Sequence, residues 1–205
     1  MVLALAGCAA QTGSTYGGSS SMAMSSDART ELANAMRALW ADHVIWTRSY
    51  IVAAAAGQPD ADEVAQRLLA NQDQIGQAIV PYYGQAAGDR LAALLRDHIL
   101  IAVDLVTAAK AGDQADLRDA DRRWHLNAEE LATFLSGANP NWSRGALLSM
   151  LNEHLALTTR EATARLQGNF TADIAAFDQI FDQAMMMADA LTDGIVKQFP
   201  DRFRA

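Results

Sequence analysis

Three acid–histidine pairs, Asp42-His43, Asp97-His98 and Glu153-His154, are the residues of this chain best suited to chemistry. Each is followed by a glycine at one constant offset: Gly57, Gly112 and Gly168 lie equally far past their histidines (57−43, 112−98 and 168−154 are the same). Imidazole is the side chain whose charge changes near neutral pH, and it is a common metal ligand. Three of them at repeat spacing could form a site for a divalent ion such as zinc or copper. Beside carboxylates they could also do acid–base work. No nucleophile motif accompanies them, since the chain has no Gly-x-Ser-x-Gly, so no motif marks the chain as an enzyme.

What must position these residues is a repeated helical hairpin. In the first hairpin Leu32, Met36, Leu39, His43, Trp46 and Tyr50 recur at steps of four and three, which is one face of a helix from about Ser26/Asp27 to Ala56. Gly57-Gln58-Pro59 stops it, and Asp60 with Glu63 resembles a capping box for the second helix. That helix carries Val64, Leu68, Asn71, Ile75 and Ile79 on one face and is expected to end at Pro81-Tyr82-Tyr83-Gly84. A third helix, from near Asp89, presents Leu91, Leu94, His98, Ile101 and Leu105. A fourth presents Leu117, Ala120, Trp124, Asn127, Leu131 and Phe134, a fifth Leu147, Met150, His154, Leu157 and Glu161, and a sixth Ala176, Ile180, Gln183, Met187, Leu191 and Gly194. Phe199 and Phe203 are expected to fold back on the body. The pattern predicts an all-α protein: a six-helix bundle of three repeated antiparallel hairpins, each too apolar on one face to stand alone.

The second helix of each hairpin carries a side-chain amide on its apolar face: Asn71, Asn127 and Gln183, evenly spaced along the chain (127−71 equals 183−127). Folded at the glycine, each hairpin brings histidine and amide to one height, roughly 21 Å from the bend at 1.5 Å per residue. A buried imidazole or amide without a partner costs about 1–3 kcal/mol, so the pairs are expected to satisfy one another. They then either fix helix register or, with the amides as outer partners, hold a metal at His43, His98 and His154. An open stack would keep the rings about 10 Å apart, because packed helices lie 8–10 Å apart. His125 breaks the repeat and reads as a surface residue. Trp40, Trp46 and Trp124 read as core, the Met185–Met187 run as packing, and Arg48 and Arg160 as partners for Asp or Glu.

Composition narrows the class. The net charge is −8 with no basic cluster, which argues against nucleic acid as a partner. The single cysteine, Cys8, ends Leu5-Ala6-Gly7-Cys8, which resembles a bacterial lipobox, although no positive charge precedes it. Gln11–Ser26 is Ser/Gly-rich and uncharged, like a tether. Residues 1–26 are therefore expected to be a truncated signal, lipidation site and tether, with acylated Cys8 in the bilayer on the periplasmic side or at the outer membrane. Residues 27–205 are expected to form the bundle.

Several segments together resemble a family of small bacterial helical proteins. They are Leu39-Trp40-Ala41-Asp42-His43-Val44-Ile45-Trp46-Thr47-Arg48, Asn71-Gln72-Asp73-Gln74-Ile75-Gly76, Pro81-Tyr82-Tyr83-Gly84, Asp97-His98-Ile99-Leu100-Ile101-Ala102, Asn127-Ala128-Glu129-Glu130, Ala138-Asn139-Pro140-Asn141-Trp142 and Lys197-Gln198-Phe199-Pro200. The resemblance implies the same helical fold. Members often carry a glycosyltransferase label, but a sugar-nucleotide transferase normally needs an α/β nucleotide-binding domain. This chain has neither a strand pattern nor a glycine-rich phosphate loop.

Overall fold

The computed structural model describes the backbone of residues 19–204 and the side chains of residues 28–204. The lipobox at Leu5–Cys8 and the tether as far as Gly18 lie outside the described residues. Six helices follow in order: α1 Ser19–Ala56, α2 Ala61–Tyr83, α3 Gln85–Ala111, α4 Gln114–Ala138, α5 Arg144–Leu166 and α6 Phe170–Gln198, with a 3₁₀ turn at Pro200–Arg202. Among the described residues no helix is long and apolar enough to cross a membrane.

Hairpin turns are set by backbone conformations that only glycine adopts cheaply. Gly57, Gly112 and Gly168 stand at φ +66°, +73° and +72°. Asp113, Ser143 and Asn169 then cap α4, α5 and α6 through side-chain oxygens that accept from the first-turn amides. Three local expectations fail. Asp60 makes no side-chain cap at the start of α2. The helix α2 ends where expected, at Tyr83 with Gly84 at φ +82°, but α3 starts at once at Gln85 rather than near Asp89. The helix α1 begins at Ser19, several residues before Asp27, because the Ser/Met/Ala run after Gly17-Gly18 contains no helix breaker.

Each helix packs against its chain neighbours, α6 closes back on α1, and α1, α3 and α5 also touch one another. The result is a closed ring of hairpins with their first helices turned inward. Its main core gathers Met36, Trp40, Leu94, Trp124, Leu131, Leu155 and Ile195, all nearly inaccessible. Trp46 departs from expectation. It is only half-buried, with the Arg67 guanidinium 4.9 Å above its ring. At the end remote from the glycine turns, Tyr82 packs on Phe199 and Phe203 (5.8 and 5.9 Å between ring centroids), as the tail aromatics predict.

Trp142 lies at the same end, its Nε1 donating to Ala190 O at 3.3 Å. The Nε1 side of the indole lies against Gly194, where a Cβ would come within 1.8 Å of Nε1. Gly194→Ala must displace a buried tryptophan and break that hydrogen bond. The expected cost is that of overpacking, about 1–3 kcal/mol. For a domain of this size that lowers Tm by roughly 2–10 °C, which a thermal melt reads directly. An unchanged Tm would mean that the indole can shift freely.

Candidate functional site: a buried histidine layer

His43, His98 and His154 come from the inner helices α1, α3 and α5, and all three are buried at 2–3 % exposure. Closure of the ring brings them together. The His43 and His154 rings are 5.6 Å apart between centroids, and those of His98 and His154 are 6.3 Å apart. This is much nearer than the roughly 10 Å of an open helical stack. Trp40 packs edge-on against His43 at 5.5 Å, and Trp124 lies against His98 at 5.2 Å. Burial pushes all three imidazoles toward the neutral form: His43 well below its usual range, His98 down to about 3, and His154 also lowered. Nearby rings add repulsion between protonated forms at His43 and His98.

In each hairpin a side-chain amide from the second helix meets Nδ1 of the histidine. His98 Nδ1 is 2.9 Å from Asn127 Oδ1, and His154 Nδ1 is 3.1 Å from Gln183 Oε1. The orientation of both amides is fixed elsewhere: Asn127 Nδ2 donates to Leu94 O at 3.0 Å, and Gln183 Nε2 to Met150 O at 2.9 Å. Their oxygens therefore face the imidazoles, so His98 and His154 carry their proton on Nδ1 and leave Nε2 bare.

The first hairpin does this differently. Asn71 donates to Leu39 O at 3.1 Å, the carbonyl equivalent to Leu94 O and Met150 O. It does not face the histidine as expected. His43 Nδ1 is instead 3.2 Å from Nε2 of Gln72, whose two N–H bonds are shared among that nitrogen, Leu68 O and Asn71 Oδ1. An amino group cannot face an N–H, so Nδ1 of His43 is bare and its proton sits on Nε2. One amide's work is divided between two side chains. The sequence did hold a signal for this: Gln72, Asn127 and Gln183 all follow their histidine by 29 residues, whereas Asn71 falls one position short of that offset.

The layer thus offers one Nε2–H and two bare Nε2 atoms. Among the described residues no group of three or more His, Cys, Asp or Glu is disposed to hold a metal ion. A His₃ site needs a bare nitrogen from every ring turned to the shared centre. Giving His43 a bare Nε2 like the others would require the Gln72 amide to turn over, which would set its oxygen against Leu68 O and Asn71 Oδ1. The acids beside the histidines stay outside. Asp97 and Glu153 are exposed, and Asp42 pairs with Arg67 at 2.7 Å. His125 lies at the surface, as expected, 3.1 Å from Asn152 Oδ1. Met187 is buried and Met186 is largely exposed.

A second buried polar group was only half legible. Arg48 Nη1 bonds Glu161 Oε1 at 2.6 Å and Asp173 Oδ1 at 2.7 Å, and Arg165 reaches Asp173 Oδ2 at 3.3 Å. Glu161 and Asp173 are 1 % and 0 % exposed. Burial pushes the Glu161 carboxyl up to about 7, against the pull of Arg48. Arg48 thus pairs with acids as expected. Arg160 does not, and donates instead to the Gln179 amide at 3.1 Å.

Comparison with known proteins adds no assignment: no family model, curated protein or solved structure matches the chain.

Proposed function

We propose that this chain is a cell-envelope lipoprotein, acylated at Cys8 and tethered to the bilayer through the residues that precede α1. Its bundle is a non-catalytic structural or interaction module, and the His–amide layer fixes the register of the three hairpins. The lipobox-like Leu5-Ala6-Gly7-Cys8 and the Ser/Gly-rich run behind it support the tethering. The resemblance to small bacterial helical proteins is part of the same reading. The observation that carries it is the pairing itself: His43, His98 and His154 are each buried and meet, through Nδ1, an amide of their own hairpin. A misregistered hairpin would leave both groups bare, at about 1–3 kcal/mol each.

The test is a double-mutant cycle. His98→Leu and Asn127→Leu are each expected to cost about 1–3 kcal/mol, because each strands a buried partner. The double variant should lose clearly less than the sum, since removing both partners is nearly neutral. Chemical denaturation of the four proteins measures this. Strict additivity would reject the register role.

A second reading is a binding protein that holds a divalent ion, zinc or copper, through His43, His98 and His154. It is favoured by the approach of the three rings and by the carbonyl oxygens of Asn127 and Gln183 on Nδ1, an arrangement common behind metal-bound imidazoles. It predicts metal at a fixed ratio in protein purified without an affinity tag. It also predicts a rise in Tm on adding zinc or copper that His98→Leu abolishes. Metal-free protein with an unmoved Tm would leave the first reading alone.

A further inference from the structure

The groove between α3 and α4 presents a surface that neither of the other hairpins repeats. Leu100 and Leu126 are each 48 % exposed, and both line one open groove of about 420 Å³. Leu100 lies two positions after His98, and Leu126 one before Asn127. The corresponding residues of the third hairpin are Ala156 and Asp182, both exposed. Those of the first are Ile45, which is exposed, and Asn71, which is buried. The bundle therefore does not require leucine at these points. Only the second hairpin sets two large apolar side chains together at the surface.

The rim of the groove is acidic. Asp97, Asp104 and Glu130 line it with one cation, Arg123. That guanidinium is already engaged, by Asp104 at 2.9 Å and by Asp119 at 2.8 Å. Glu130 has Arg90 only at 3.9 Å, with both side chains more than half exposed, and Asp97 stands exposed. The next depression along the hairpin shares Asp104 and Arg123 and adds Asp113, Asp116 and Asp119. Two apolar anchors inside an anionic rim fit a partner with an apolar stripe flanked by lysine or arginine. We propose that the α3–α4 groove docks a basic amphipathic helix of a partner protein. An added strand would find no sheet edge among the described residues, whose regular elements are all helical. A second copy docking through the same groove would set acid against acid, and an anionic lipid surface would be repelled likewise. Residues 1–26 of the chain itself carry no basic side chain. The proposal rests on the interaction-module reading and gives that module its class of partner, at a site separate from the histidine layer.

A labelled synthetic helix of leucine and lysine, titrated with the full chain and followed by fluorescence anisotropy, tests the site. Binding should saturate and shift the amide NMR signals of α3 and α4. Leu100→Gln with Leu126→Gln keeps the charge and a good helix former at both points, and should weaken binding at least about tenfold. Asp97→Asn with Glu130→Gln should weaken it at low salt and matter little at high salt. Ile174→Gln, on α6 at 54 % exposure, should change nothing, and a peptide with glutamate in place of lysine should not bind. Equal affinity in the leucine variant, or for the glutamate peptide, would overturn the proposal. So would no binding of the lysine peptide, self-association that the leucine variant abolishes, or binding of phosphatidylglycerol vesicles through the same leucines. The exposed carboxylate variant keeps the test readable should the leucine variant not fold. Failure here leaves the double-mutant cycle at His98 and Asn127, and the register role it tests, untouched.

Discussion

Lowering the pH from 7 to 5 should destabilise the bundle, and the histidine layer is the reason. His43, His98 and His154 all have lowered folded-state pKa values, His98 about 3, against 6.5 when unfolded. Their contribution to stability is therefore complete above pH 6.5 and is lost as pH falls toward the folded values. Below pH 6.5 the unfolded chain takes up protons on these imidazoles more readily than the folded chain does. Integrated over that range, His98 costs about 2 kcal/mol, and His43 and His154 add to it in the same direction. Glu161 acts in the opposite sense. Its folded pKa of about 7 exceeds the unfolded 4.5, so the folded state gains one proton over the same range and recovers roughly 2 kcal/mol. His98 and Glu161 roughly offset, so the net loss is what His43 and His154 contribute, set against a typical stability of about 5–15 kcal/mol. Urea midpoints at pH 7 and pH 5 and constant ionic strength would show it, and equal midpoints would refute it. The parts are separable: His98→Leu with Asn127→Leu should flatten the dependence by one proton, and Glu161→Gln should steepen it.

Arg48→Met should be the most damaging single substitution in the helical body. It removes the partner of Glu161 and the closer partner of Asp173, leaving two buried carboxylates with only Arg165 nearby, 3.3 Å from Asp173. Stranding a buried charge in this way costs about 3–5 kcal/mol. The guanidinium also covers the Phe177 ring at 4.8 Å, a packing contact that a thioether replaces only in part. A thermal melt at pH 8, where Glu161 is ionised, should show Tm lowered by roughly 6–20 °C. At pH 6 the loss should be smaller, because a protonated Glu161 needs no cation. A drop equal at both pH values would place the damage in lost packing rather than in charge. Adding Glu161→Leu to Arg48→Met should restore part of the stability at pH 8, since one of the two stranded charges is then gone.

The contrast between the two buried polar groups marks how far spacing can be read. The histidines and two of their three amides were legible because a repeat copies its polar positions along with its apolar ones. The third failed by a single position: counting amide to amide selects Asn71, while counting histidine to amide selects Gln72. The Arg48–Glu161–Asp173 network has no repeat counterpart. Its members lie 113 and 125 residues apart in the chain, so no local pattern announces it.

By itself the sequence determined the helical class, the three hairpins, the glycines at their bends and the depth of the histidines along each helix. These are local properties, set by the period of the α-helix and by backbone conformations that few residues tolerate. Only the tertiary structure decided whether the hairpins open into a stack or close into a ring. That choice turns on how apolar faces from distant segments fit together. It alone sets the His154 ring 5.6 Å from His43 and 6.3 Å from His98. It also assigns each imidazole its tautomer through the amide it meets.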